Sequence, residues 1–249
     1  MSSWEDLASE LDCWRESGRT ATFWWRDDDA TAPSPALDRL LELHRRYVAP
    51  ITLAVIPARA EPDLAKRLEE PSVTVVQHGW AHTNHAPVGA SKAEFGPHRP
   101  LGFMLGELAR GQLVMDALFG RWTRVLVPPH NRIAGELAAA LSTAGYVGLS
   151  TYGARKKGPA PGLVQVNAHI DIMNWTTRAF GGTDIALRLA IAHLHGRRTG
   201  AADPEEPTGL LTHHLAHDEA AWAFVDAFLA ALNGHPAAAV VDAAMLFRT

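Results

Sequence analysis

The chain has 249 residues, 47% hydrophobic and 20% charged, with 20 glycines and 16 prolines; this excludes a disordered, collagen-like or coiled-coil chain and suffices for one sizeable core. Lys and Arg number 23 against 27 Asp and Glu, a formal net charge of -4, so the basic footprint of a nucleic-acid binder is missing. The single cysteine, Cys13, excludes an internal disulfide and any cysteine-based zinc or iron–sulfur site, which leaves carboxylates and the 13 histidines as possible metal ligands. The chain opens acidic, without a basic flank before an apolar stretch, and has no apolar run long enough to span a bilayer. The expectation is a cytoplasmic protein of one domain, 1–249, away from membranes.

Trp4, Leu7, Leu11 and Trp14 recur at helical spacing and predict an opening amphipathic helix over 3–17. The β-rich run ATFWWRD follows, then Pro33 and Pro35, the helix ALDRLLELHRRY, and the apolar strand ITLAVI between Pro50 and Pro57. The alternation continues with helix DLAKRLEE, strand VTVVQ, the long helix LGFMLGELARGQLVMDALF, strand TRVLV, helix ELAAALSTAG and strand YVGLS. Strands LVQVN and GLLTH flank the helix DIALRLAIAHLHG, and EAAWAFVDAFLAAL closes the pattern. About seven β/α pairs result, with strands apolar throughout, as in a parallel sheet covered on both faces; a barrel and a doubly wound sheet both fit. HTNHAPVGASKAEFGPHRP and RRTGAADPEEPT interrupt the pattern and read as loops.

In parallel α/β folds ligands bind at the carboxyl ends of the strands. The first strand ends in Arg26, Asp27, Asp28 and Asp29. Three adjacent carboxylates repel one another unless an arginine, helix-terminus donors or a cation offsets them; capping ahead of Pro35 is the plainer alternative. The third strand runs into His78, Gly79, His82 and His85, where two imidazoles four residues apart can converge on one ion, either on a helical turn or across the tight bend that Gly79 permits. With carboxylates on a neighbouring strand end, a His/His/Asp facial site with open positions is the expectation.

The next strand delivers VLVPPHNR, a rigid Pro128-Pro129 turn that places His130, Asn131 and Arg132 as either turn structure or substrate wall. VNAHIDIMNW sets His169, Asp171, Asn174 and Trp175 after a strand, and GLLTHHLAHDE ends a strand in His213 and His214, with His217 and Asp218 leading into the last helix. Asp218 doubles as an N-cap candidate. Trp24, Trp25, Trp80 and Trp175 suit stacking on a sugar ring or packing in the core.

Five segments in order, RDDDA at 26–30, HGWAH at 78–82, VPPHN at 127–131, DIMNW at 171–175 and LLTHH at 210–214, resemble the motifs of the polysaccharide deacetylases of the carbohydrate esterase type, and span most of the chain. The resemblance is to divergent cytoplasmic relatives whose first motif reads RDDDA in place of TFDDG. It implies a distorted (β/α)7 barrel and a metal-dependent deacetylase acting on C–N bonds other than peptide bonds. His78 and His82 become metal ligands with Asp29 as the third, Asp28 the catalytic base and His213 the general acid. A competing register makes Asp27 the base and Asp28 the ligand, and His214 rivals His213. Arg26, Trp80, Pro129, His130, Asn131 and Trp175 are the expected substrate contacts.

Two departures stand out: Val127 occupies the place of the third motif's usual arginine, for which Arg26 or Arg132 would have to substitute, and Asn174 replaces the fourth motif's more common Asp. The implied cofactor is a divalent metal ion, zinc foremost, and the implied substrate a small N-acetylated sugar, oligosaccharide or sugar conjugate. Two other readings stand beside this one. A non-catalytic sugar- or partner-binding barrel would keep the shape with a degenerate site. HHLAHD also resembles the His-Asp phosphohydrolases, but those are all-helical and the apolar strand runs oppose that reading.

Overall fold

The structure is a computed structural model that describes residues 1–155 and 162–248. Helix α1 (Trp4–Glu16) leads into strand β1 (Ala21–Ala30), followed by α2 (Pro35–Tyr47), β2 (Ile51–Val55), α3 (Pro62–Arg67), β3 (Val73–His78), α4 (Leu101–Leu118), β4 (Val125–Val127), α5 (Gly135–Ala140) and β5 (Gly148–Leu149). The second half holds β6 (Val164–Gln165), β7 (Ile170–Asp171), β8 (Met173–Asn174), β9 (Ala179–Phe180), α6 (Thr183–Thr199), β10 (Thr208–Thr212), α7 (Glu219–Asn233), β11 (Ala238–Val240) and α8 (Ala243–Leu246).

The main sheet runs β6-β5-β4-β3-β2-β1-β10-β7, with β11 beside the start of β1 and every pair parallel. It curls into the distorted (β/α)7 barrel that the motifs implied, and the all-helical phosphohydrolase reading falls with it. Among the described residues no ladder joins β6 to β7, so the barrel is open there.

β1 is the axis of the fold. It is the longest strand, its neighbours β2 and β10 cover both edges, and its backbone groups are satisfied on each side. Its alternation divides the core in two. Phe23 and Trp25 pack outward with Leu37, Leu41, Phe224 and Phe228 of α2 and α7, while Trp24 packs inward with Ala54, Val76, Val125, Val127 and Val166. Phe247, just past α8, joins that inner cluster. Thus Trp24 and Trp25 are core residues, each 1% exposed, and not sugar platforms.

The expected helices are present with edges shifted by one to several residues in either direction, and RRT of the second expected loop belongs to the end of α6. Not anticipated were β7, the antiparallel β8–β9 hairpin, β11 and α8. The first three are runs of two or three residues, too short to carry a periodic signal. No helix among the described residues is long and apolar enough to cross a membrane.

Candidate active site

The parity of β1 decides which carboxylates reach the barrel interior. Arg26 and Asp28 share the face of Trp24, while Asp27 shares that of Trp25. Asp27 is accordingly buried away from the cavity, where its carboxylate accepts the Thr212 hydroxyl (2.7 Å), the His214 backbone N–H (3.0 Å) and the His214 ring Nδ1–H (2.5 Å). Burial opposes the charge on Asp27, and the His214 ring outweighs that, so its pKa falls below the ordinary value. After Asp27 the alternation breaks. The register of β1 against β2 shifts between Asp27 and Ala30, and Asp29 adopts a left-handed φ of 73°, so that Asp29 as well as Asp28 faces inward.

Asp29 Oδ1 lies 3.2 Å from His78 Nε2 and 3.3 Å from His82 Nε2. The His78 Nδ1–H donates to the Val127 carbonyl (2.9 Å), which turns Nε2 toward the Asp29 carboxylate; burial opposes a charge on this ring, but Asp28 and Asp29 outweigh it and raise its pKa, and a bound cation would take the place of the Nε2 proton. Burial disfavours the Asp29 anion, yet the rings of His78, His213 and His82 hold its pKa well below the usual carboxylate range. For His82, burial and then the neighbouring His78 lower the pKa, so its ring is neutral near pH 7 and carries a free lone pair. A carboxylate oxygen and two imidazole nitrogens converging from three directions fit a divalent cation, with coordination positions left for water and substrate. Left-handed backbone at Asp29, His82, His130 and Asn131 concentrates strain around this point.

A second group of the right residue types, His169 just before β7, His193 on α6 and Glu206 just before β10, is buried. Its protons oppose a metal. The Gly209 N–H donates to His169 Nδ1 (3.0 Å), so the proton of the neutral ring sits on Nε2, facing Glu206 at 3.5 Å. Glu206 also accepts the backbone N–H groups of Arg155 and Asn167. This group ties strand ends together.

The turn that carries His82 is moulded by Glu94, a fully buried residue whose carboxylate accepts the N–H groups of Trp80 (3.0 Å), Ala81 (2.8 Å) and Thr83 (3.3 Å). One Glu in a loop read as polar gave no sign of this role. Gly79 makes the turn possible at φ 61°, and a Cβ there would lie 2.1 Å from Glu94 Oε2 and 2.5 Å from Pro129 Cδ. Gly79→Ala is therefore expected to destabilise the fold by about 1–3 kcal/mol through strain and overpacking. A thermal unfolding midpoint equal to wild type would contradict that packing.

Arg26 requires a correction. Its side chain is fully buried and every guanidinium nitrogen faces a protein oxygen: Asp28 Oδ1 (2.9 Å) and Oδ2 (3.0 Å), Ser150 Oγ (2.7 Å), the Thr151 carbonyl (3.2 Å) and Asn131 Oδ1 (2.7 Å). Its contacts therefore go to holding Asp28, and no part of it is exposed to the cavity. Ser150 and Thr151, which complete the cradle, had carried no signal beyond ending a strand. Arg132 points elsewhere, donating to the Lys92 carbonyl. Pro129 is likewise buried, its ring lodged against Gly79, and shapes the turn without lining an open surface.

Opposite Asp28, His213 brings Nε2 to 4.0 Å from Asp28 Oδ2. The Trp175 ring stands edge-on to His213 at 4.5 Å, 48% exposed, and its Nε1–H donates to Asp171 Oδ2 (2.8 Å). Asn174 accepts the N–H groups of Thr176 and Thr177 and so closes its own turn. His130 meets His82 edge to face at 4.7 Å, and burial with the neighbouring His82 and His78 rings pushes its pKa down to about 4. Trp80 is half-buried with the Arg110 guanidinium 5.0 Å above its ring. Asp218 caps α7 through the Ala221 N–H (2.8 Å), and His85 is exposed outside the cluster. A cavity of about 610 Å³ opens alongside, bordered by Asn131, Thr151, Arg132 and Gln165.

A family model of polysaccharide deacetylases matches residues 21–149, just over half of the chain. The chain belongs to the polysaccharide deacetylase family. Solved structures of similar fold include a candidate polysaccharide deacetylase from Mycobacterium smegmatis, with a TM-score of 0.65 and 17% identity over 92% of this chain and 90% of that one. The peptidoglycan deacetylase PdaC from Bacillus subtilis is similar at a TM-score of 0.57 and 15% identity, covering 91% and 90%. A CE4 family pseudoenzyme from Bacillus anthracis matches at a TM-score of 0.63 and 12% identity, covering 92% and 66%. No curated protein sequence matches. Within the deacetylase family, the first-motif strand and the histidine turn both fall inside the matched segment.

Proposed function

We propose that the protein is a metal-dependent hydrolase that removes an acetyl group from an N-acylated sugar or sugar conjugate. The observation that carries this reading is the convergence of Asp29, His78 and His82 on one point, with the Arg26-held Asp28 and His213 facing each other beside it. A divalent ion held by those three residues, zinc foremost, would lower the pKa of a water molecule and polarise the acyl carbonyl. Asp28 then accepts the proton of the attacking water, its two oxygens aimed by the guanidinium beneath. His213 hands a proton to the departing amine from the opposite side, so the C–N bond breaks without expelling an amide anion. Trp175 offers the sugar an exposed aromatic face, and Trp80, His130 and Asn131 border the same mouth.

The test is acetate release from N-acetylhexosamines and their short oligomers by protein supplied with zinc, manganese or cobalt. His213→Ala should keep the fold and ion but lower amide turnover by roughly two to four orders of magnitude, and affect an activated aryl acetate less, since a good leaving group needs little protonation. Equal losses on both substrates would remove His213 from the acid's role, and His214→Ala showing the pattern instead would shift the role by one residue. A sugar-binding barrel without turnover is the second reading. Asn174 favours it, because its amide closes its own exposed turn while, among the described residues, nothing hydrogen-bonds the buried His213 Nδ1. Sugar binding without acetate release would select it.

A further inference from the structure

His213 is positioned through its backbone and not through its ring. Among the described residues its buried Nδ1 has no hydrogen-bond partner, and its ring meets the Trp175 edge and the distant Asp28 oxygen. The residues on either side are anchored firmly. Thr212 pairs with Asp27 in the β1–β10 ladder, accepts the Trp25 Nε1–H (2.9 Å) and donates its hydroxyl to Asp27 Oδ2. His214 is fixed twice to the same carboxylate, by its ring and by its backbone N–H. The N–H of His213 itself donates to His217 Nε2 (3.3 Å), and burial pushes the pKa of that ring down to about 4, which keeps it neutral and able to accept.

Asp27 and His214 are both without side-chain exposure, on the face of β1 that looks away from the cavity. Neither is used by the chemistry above. A buried ionisable pair is an expensive way to fill space, because apolar side chains of similar volume often do as well or better for stability. What this pair provides is direction: it clamps the ends of β1 and β10 at one register, on the reverse side of the strands that present Asp28 and His213. We infer that Asp27 and His214 form a positioning pair that holds the His213 ring over Asp28, in the place of the fourth-motif carboxylate that this chain lacks. The inference rests on the reading of His213 as proton donor, since misplacing such a group by about 1 Å costs on the order of a hundredfold.

The test compares His214→Leu, which fills the space without a donor, with His214→Asn, whose amide N–H can stand where Nδ1–H stood. In the metal-loaded protein, His214→Leu should lower kcat for an N-acetylated amide by about 10- to 100-fold, with KM within about twofold and an activated aryl acetate affected less. His214→Asn should recover most of the loss. Imidazole nitrogen and proton NMR supplies a readout that needs no turnover. The wild type should show a deshielded, exchange-protected His214 Nδ1–H that vanishes in Asp27→Asn, and the His213 ring should change shift and gain mobility in His214→Leu. Equal losses on amide and ester, or His213 resonances unmoved in folded His214→Leu, would overturn the positioning role. If the wild type releases no acetate at all, the hydrolase reading fails by itself, and the His213 resonances still decide whether the pair holds that ring.

Discussion

Asp28→Asn is expected to leave the fold and the bound ion in place and to lower acetyl hydrolysis by about two to four orders of magnitude. The amide cannot take the proton of the attacking water; its oxygen keeps one of the two Arg26 hydrogen bonds that the carboxylate accepts, and Ser150, Thr151 and Asn131 keep accepting the others. Ion occupancy separates the two registers that the three consecutive aspartates permit. Retained ion agrees with Asp29 between the two histidines, as its contacts at 3.2 and 3.3 Å indicate. Lost ion would make Asp28 the ligand and move each role back one residue, although Asp27, saturated by Thr212 and His214 behind the strand, is poorly placed to become the base. Turnover equal to wild type would defeat both assignments.

Strand periodicity explains both what was legible in advance and what was not. The apolar runs of β1, β2, β3 and β10 announced a parallel α/β sheet because each is buried on both faces. The two-residue strands β7, β8 and β9 hold their places through neighbours and carry no pattern of their own. In the site, HGWAH was readable because histidine spacing and Gly79 describe a turn, and the structure shows that Gly79 has no room for a side chain. The aspartate register was not readable, since it depends on a local break in alternation at Asp29 that only the pairing of β1 with β2 reveals. Arg26 was misread as a substrate contact for a related reason. An arginine at a strand end normally reaches outward, and its burial here follows from the oxygens of Asp28, Asn131 and the adjacent Ser150 and Thr151, gathered around it by three segments of the chain. Glu94 was invisible because its partners are backbone N–H groups, which every sequence possesses.

The other large effect concerns the ion itself. Removing His78 or His82 leaves two protein ligands of three, too few to retain a divalent ion against water at micromolar concentrations, so His78→Ala and His82→Ala should both emerge from gel filtration depleted of metal and without amidase activity. His82→Ala is the cleaner variant. His78 is buried and its Nδ1–H satisfies the Val127 carbonyl, so its loss also opens a cavity and strands an acceptor. His82 is partly exposed on its turn, and its removal should change the ion far more than the fold. Chelation of the wild type should lower its unfolding temperature, because an ion that binds only the native state stabilises it by mass action, whereas His82→Ala should show no such drop.

Elemental analysis of wild type, His82→Ala and Asp28→Asn, purified in parallel and loaded with the same metal, tests the account most directly. About one divalent ion per chain in wild type and Asp28→Asn, with His82→Ala depleted, is the result it predicts. Wild-type protein without stoichiometric ion, or His82→Ala holding as much as wild type, would contradict it.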